Sequence, residues 1–198
     1  MKVSGLFLIQ LLLILPGFSQ SISPKKAYVN HTEVGLLLGR VSYDGNYGWG
    51  GGNPNQIVKN RTNLSMQMFN GLQYNHRLAV GLTTGLDWYT AALINPLAAG
   101  ARYDLTGKKN VRLFATADAG YGFAWFHKNS EGYHLTGGTM LNPGLGLRFG
   151  KPDGTAFTLS LSYKYQQARL EIPTANDIES RVENREYNRL ALRMGLLF

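Results

Sequence analysis

Histidine is the side chain most often recruited for proton transfer near neutral pH, and the chain has four: His31, His76, His127 and His134. A hydrolytic histidine needs a nucleophile or a carboxylate within hydrogen-bond reach of its ring. His127 and His134 share a polar stretch with Ser130 and Glu131, His76 sits in the turn-like "NHR" of 75–77, and His31 stands just ahead of an apolar run. The spacing fits no metal-ligand pattern. The absence of cysteine removes thiolate ligands, a thiol nucleophile, disulfides and a lipid-bearing terminal cysteine. "GWGGGNPN" (48–55) is glycine-rich, but neither it nor Gly107-Lys108-Lys109 leads into the Gly-Lys-Ser/Thr ending of a phosphate cradle, and Gly144, Gly146 and Gly150 miss dinucleotide spacing. These residues predict no catalytic site, no cofactor and no metal centre.

A different chemistry is written in the charged residues. Glu33, Asp87, Asp104 and Asp118, together with Arg102, Arg112, Arg148, Lys164, Arg189 and Arg193, all fall on the glycine-rich side of alternating segments. Buried charges persist only when paired and hydrogen-bonded, so they predict a ladder of ion pairs, with partners left open until the strand register is known. The formal net charge of +8 is scattered rather than gathered into a patch, which argues against nucleic acid as a partner.

The elements that must position these charges read as strands, because side chains in a strand alternate between two faces. In "YNRLALRMGLLF", Leu190, Leu192, Met194, Leu196 and Phe198 share one face, and Arg189, Ala191, Arg193 and Gly195 the other. The same period of two runs through 33–41, 64–74, 78–88, 97–105, 111–125, 141–149 and 157–165. That makes eight strands. The connections at 75–77, 106–110 and 151–154 are short; those at 44–60, 89–96, 126–139 and 168–185 are expected to be four long loops at one end. Such a meander predicts an up-and-down barrel.

Which face is the core follows from composition. The apolar face carries aromatics at two levels: Tyr74, Tyr103, Phe149, Phe157 and Phe198 near the short turns, and Trp88, Tyr121, Trp125, Tyr163 and Tyr165 near the longer connections. Rings at two heights are the girdles of a bilayer's two interfaces. The opposite face is too poor in Lys, Glu and Asp for a water-exposed surface and too rich in glycine. Eight strands close around a lumen just wide enough for side chains to fill. The N-terminus agrees with a membrane route: Lys2, an apolar run from Leu6 to Leu15, then Pro16-Gly17 and Ser19. The run is half the ~20 residues of a spanning helix, so 1–19 reads as a cleaved signal peptide and 20–198 as one barrel domain. The expected fold is all-β: an eight-stranded antiparallel up-and-down transmembrane β-barrel.

The segments "NGLQYNHRLAVGLTTGLDWY", "LAAGARYDL", "FATADAGYGFAW" and "NPGLGLRF" resemble strands of the small eight-stranded outer-membrane β-barrel family of Gram-negative bacteria, over nearly all the mature chain. The resemblance implies a porin-like protein of the cell outer membrane, a monomer in contact with outer-membrane lipid and lipopolysaccharide. It also implies that the terminal Phe198 is the signal read by the barrel-assembly machinery. Arg40, Arg61, Lys128, Arg169 and Arg181, at the rim of the longer connections, could hold lipopolysaccharide phosphates. Lipid A deacylases of similar size use a histidine–serine pair, and no histidine here has their His-x-Ser spacing. The implied role is non-enzymatic, structural or recognition through the loops; a narrow channel and a lipid A-modifying enzyme are the alternatives.

Overall fold

The computed structural model describes residues 28–45, 55–89, 92–106, 110–126, 134–151, 154–172 and 181–198. The leader at 1–19, residues 48–54 of the glycine-rich stretch, and His127, Lys128, Ser130 and Glu131 lie outside the described residues. Eight long strands run through the rest: β1 (Tyr28–Gly45), β2 (Asn55–Gln73), β3 (Leu78–Tyr89), β4 (Ala92–Asp104), β5 (Val111–Phe123), β7 (Gly138–Phe149), β8 (Ala156–Ile172) and β9 (Arg181–Leu197), with a three-residue β6 (His134–Thr136) before β7. Each long strand pairs antiparallel with its neighbours, and β9 pairs with both β8 and β1, which closes the sheet. Closure leaves no row of unpaired backbone groups, the condition for strands to cross hydrocarbon.

The alternation decides which way each strand faces. On β9, Leu190, Leu192, Met194 and Leu196 are 44–54% exposed, while Arg189 and Arg193 are each 1% exposed. The barrel is greasy outside and polar within, the inverse of a soluble domain. The inner wall also needs space. A Cβ on Gly100 would lie 2.6 Å from both Asp118 Oδ1 and Thr83 Oγ1, so only glycine lets those two groups meet over β4.

Several boundaries differ from the sequence expectation: β2 begins at Asn55 and β9 at Arg181, and β8 runs on to Ile172, so strands take up parts of the 44–60 and 168–185 stretches expected as loop. β3 and β4 pair as far as Tyr89↔Ala92, so 89–96 is not a long loop and the far end carries three long connections rather than four. Pro96 suggested a loop, but it lies inside β4 opposite Gly122 of β5; its missing N–H falls on the β3 side, where the ladder has no pairs between Thr84↔Leu97 and Asp87↔Ile94. β1 begins at Tyr28 rather than Glu33, because β2 already pairs with it there and β9 joins from His31. Within 126–139, β6 pairs with Arg169–Glu171 of β8.

Strand length is uneven around the barrel. β1, β2, β8 and β9 have 18, 19, 17 and 17 residues, against 12 or 13 in β3, β4, β5 and β7. A tilted strand crosses the hydrocarbon in about 9–11 residues. The four long strands are contiguous, in the order β8-β9-β1-β2; at their other ends β2 and β8 meet short turns, and β1 and β9 face each other through Asn30 and Phe198. Half of the wall therefore stands well beyond the span at the end with the long connections.

Candidate functional site in the barrel lumen

The inward face of each strand delivers its polar residues to one axial column, and the register brings distant parts of the chain together there. Asp87 of β3 pairs with Lys164 of β8 and accepts a hydrogen bond from Ser65 at 2.7 Å. Gln67 of β2 accepts from Asn142 of β7 at 3.4 Å. In the closed order β3 lies across the lumen from β8, and β2 across from β7. These contacts span the full diameter.

The cross-links join into one network. Asp118 accepts from Arg102 at 2.7 Å, Thr83 at 2.6 Å and Asn142 at 3.0 Å. Asn142 in turn accepts from Ser162 at 2.8 Å, whose hydroxyl oxygen accepts from Arg193 at the same distance. On the other side Gln67 donates to Glu33 at 3.1 Å, and Glu33 also accepts from Ser160 at 2.5 Å. Nearer the short turns, Asp104 bridges Arg112 at 3.4 Å and Arg148 at 3.1 Å. Guanidiniums also lie on buried rings, Arg102 4.4 Å from the centroid of Phe69 and Arg148 5.6 Å from that of Phe114.

Apolar layers bracket this network. Val29, Phe69, Ala79 and Leu197 are buried at the end holding the termini. Toward the other end Leu37, Ile94, Leu135, Leu170 and Ala191 pack with Tyr89 and Tyr187, whose ring centroids are 4.2 Å apart.

Some inward residues behave differently from the expectation of a ladder of ion pairs. Among the described residues Arg189 and Arg193 have no carboxylate partner: Arg189 donates to the carbonyls of Gly39 and Arg61 at 2.5 and 2.6 Å, and Arg193 to Ser162. Glu33, Asp87, Asp104 and Asp118 cannot match one for one the six cations expected opposite them, Arg102, Arg112, Arg148, Lys164, Arg189 and Arg193. Among the described residues Glu33 has no arginine partner either; its neighbours are Gln67, Ser160 and His31, whose Nε2 lies 3.6 Å away. His31, expected as an ordinary polar residue at the start of a strand, is fully buried within β1, 2.9 Å from Thr158 Oγ1 and edge-on to Phe114. Phe69 and Phe114, large apolar residues on the polar face, broke the alternation and were missed. The signal that could have found them is their parity, shared with Gln67 and Arg112.

On the outside, Tyr74, Tyr103 and Phe149 lie toward the short turns, and Trp88, Tyr121, Trp125, Tyr163 and Tyr165 toward the other end. All except Tyr165, which is half-buried, are exposed. The upper tyrosines hold polar neighbours: Tyr163 donates to Asn188 at 2.6 Å and Tyr121 to the carbonyl of Gly137 at 2.8 Å. Phe198 closes the last turn of pairing through backbone bonds with Asn30 at 2.8 and 3.1 Å.

No protein-family model and no curated protein sequence matches the chain. Solved structures do. The outer membrane protein OprG of Pseudomonas aeruginosa superposes with a TM-score of 0.60 at 13% identity, over 89% of this chain and 98% of that one. AlkL, solved in DMPC bilayers, gives 0.54 at 10% identity over 91% and 93%. The N-terminal β-barrel domain of P. aeruginosa OprF gives 0.51 at 14% identity over 88% and 99%. At such identities the shared property is architecture, and it agrees with the closure, the inverted polarity and the strand count described above: the chain has the fold of the small eight-stranded outer-membrane β-barrels.

Proposed function

We propose that the chain is an integral protein of the bacterial outer membrane, and that its barrel is a plugged anchor rather than a pore. The role is non-enzymatic: structural, or recognition through the long connections and the tall β8-β9-β1-β2 wall. The observation that carries this reading is the pair of contacts across the full diameter, Asp87–Lys164 and Gln67–Asn142, stacked with apolar layers above and below. A solute would have to break buried, charge-assisted hydrogen bonds to pass. In this reading the barrel is a monomer bathed in outer-membrane lipid and lipopolysaccharide, the two aromatic levels mark the bilayer interfaces, and Phe198 serves the assembly machinery. Planar-bilayer recording tests the central point: the refolded protein is expected to give no steady conductance, and stepwise ohmic current would replace this reading with the narrow channel.

A further inference from the structure

Beyond the apolar plug, the tall part of the wall encloses a cavity of about 230 Å³ that opens toward the long connections. Lys59, Arg61, Arg185 and Arg189 line it with Tyr89 and Tyr187, and among the described residues no carboxylate does. The register explains the gathering. Arg61 of β2 and Arg189 of β9 are both paired to Gly39 of β1, so only a hydrogen stands between them on the inner wall. Gly39 holds φ +142°, and a Cβ there would lie 2.5 Å from the Asn188 carbonyl oxygen. One row further out, Lys59 and Tyr187 flank Val41 in the same way.

The charges here are not balanced from within. Arg185 is matched by Glu183 at 2.8 Å. Lys59, Arg61 and Arg189 have no acidic partner among the described residues. Arg189 is 1% exposed, and its Nη1 is pinned by the carbonyls of Gly39 and Arg61, yet its Nε has no hydrogen-bond partner. The hydroxyl of Tyr89, a residue 6% exposed, is also without a partner. Buried donors left unpaired carry a desolvation cost that a bound acceptor removes. Cations of one sign grouped along a cleft raise the local concentration of anions there. A water occupies about 30 Å³, so the cavity has room for a tetrahedral oxyanion and part of the group that bears it.

We propose that this mouth cavity binds the dianionic phosphate of a phosphate monoester, with Arg61 and Arg189 on its oxygens, Lys59 as the outer charge and the Tyr89 hydroxyl as a neutral donor. The proposal rests on the reading of the barrel as a recognition anchor and gives that recognition a chemistry. The phosphate can be borne by a water-soluble ester or by a lipid headgroup of the surrounding leaflet.

The test is calorimetric titration of the full mature chain, folded in zwitterionic detergent, with inorganic phosphate and with glucose 6-phosphate. Saturable binding is expected, weakened about tenfold or more by Lys59→Gln/Arg61→Gln, since each lost contact is charge-assisted. Both side chains are exposed, so the variant is expected to fold, read as the same change in SDS-gel mobility on boiling as the parent protein. Tyr89→Phe, which removes only a hydroxyl, is expected to weaken binding by a smaller factor. Repeating the titration in bilayers with and without added lipopolysaccharide separates the sources: loss of the phosphate signal makes the lipid headgroup the natural occupant, and an unchanged signal makes it a soluble ester. No saturable binding by the parent protein, or equal binding by the folded double variant, overturns the site. Such a result with a non-conducting lumen leaves the anchor reading standing, whereas ohmic conductance removes that reading first.

Discussion

Lys164 and Asp87 show what a single inward side chain does in this barrel. Both are essentially inaccessible, at 1% and 0%, and each is the other's counter-ion across the lumen. Removing one partner strands the other charge in a dry column. Lys164→Met is therefore expected to lower folding stability by about 3–5 kcal/mol, measured as a shift in the urea midpoint of the barrel in detergent or vesicles. The double change Lys164→Met/Asp87→Leu is expected to recover most of that loss, because no unpaired charge remains. A small effect of the single change would mean that water reaches this level and solvates Asp87. The identity of both residues as inward charges was legible from their parity. Their partnership was not, because 77 residues separate them and only the closed register brings them together.

At the scale of the strand, the outer face is a solvent boundary whose chemistry changes with height. Leu82 lies in the middle of β3, 58% exposed, between the levels of Tyr103 and Trp88. Tyr74 lies at the short-turn rim, 67% exposed. An arginine at the bilayer midplane costs about 2–4 kcal/mol and near an interface about 0–1. Leu82→Arg is thus expected to reduce the free energy of folding into phosphatidylcholine vesicles by about 2–4 kcal/mol, and Tyr74→Arg by about 1 at most. Equal costs at the two positions would remove the assignment of the aromatics to interfaces. The period of two placed both residues outside. It failed at 89–96, where a proline and small residues imitate a loop; the pairing of Tyr89 with Ala92 shows a tight connection instead. A proline inside a strand costs one ladder bond, which β4 absorbs because Pro96 still pairs on the β5 side.

For the molecule as a whole, closure is the source of stability. Every long strand has two neighbours, so no strand can leave without breaking two ladders and the lumen network at once. The native barrel is expected to resist SDS until boiled and to run at a different apparent mass before and after heating. Deleting Phe198 is expected to leave that shift intact in protein refolded in vitro, since it removes one rim side chain and the backbone pair with Asn30. In cells the same deletion is expected to lower the fraction assembled in the outer membrane. Equal yields would show that Phe198 is only a rim aromatic.

By itself the sequence determined the class of fold and its polarity, since strand alternation is local and the choice of face rests on composition within each segment. Tertiary structure decided the pairing of charges, the burial of His31, Phe69 and Phe114, and the unmatched cations around Arg189 at the mouth. Those depend on which strands stand opposite one another and on how far the tall half of the wall rises above the rest. Closing the sheet sets both, and closure is a relation between segments up to the length of the chain apart, which no local pattern records.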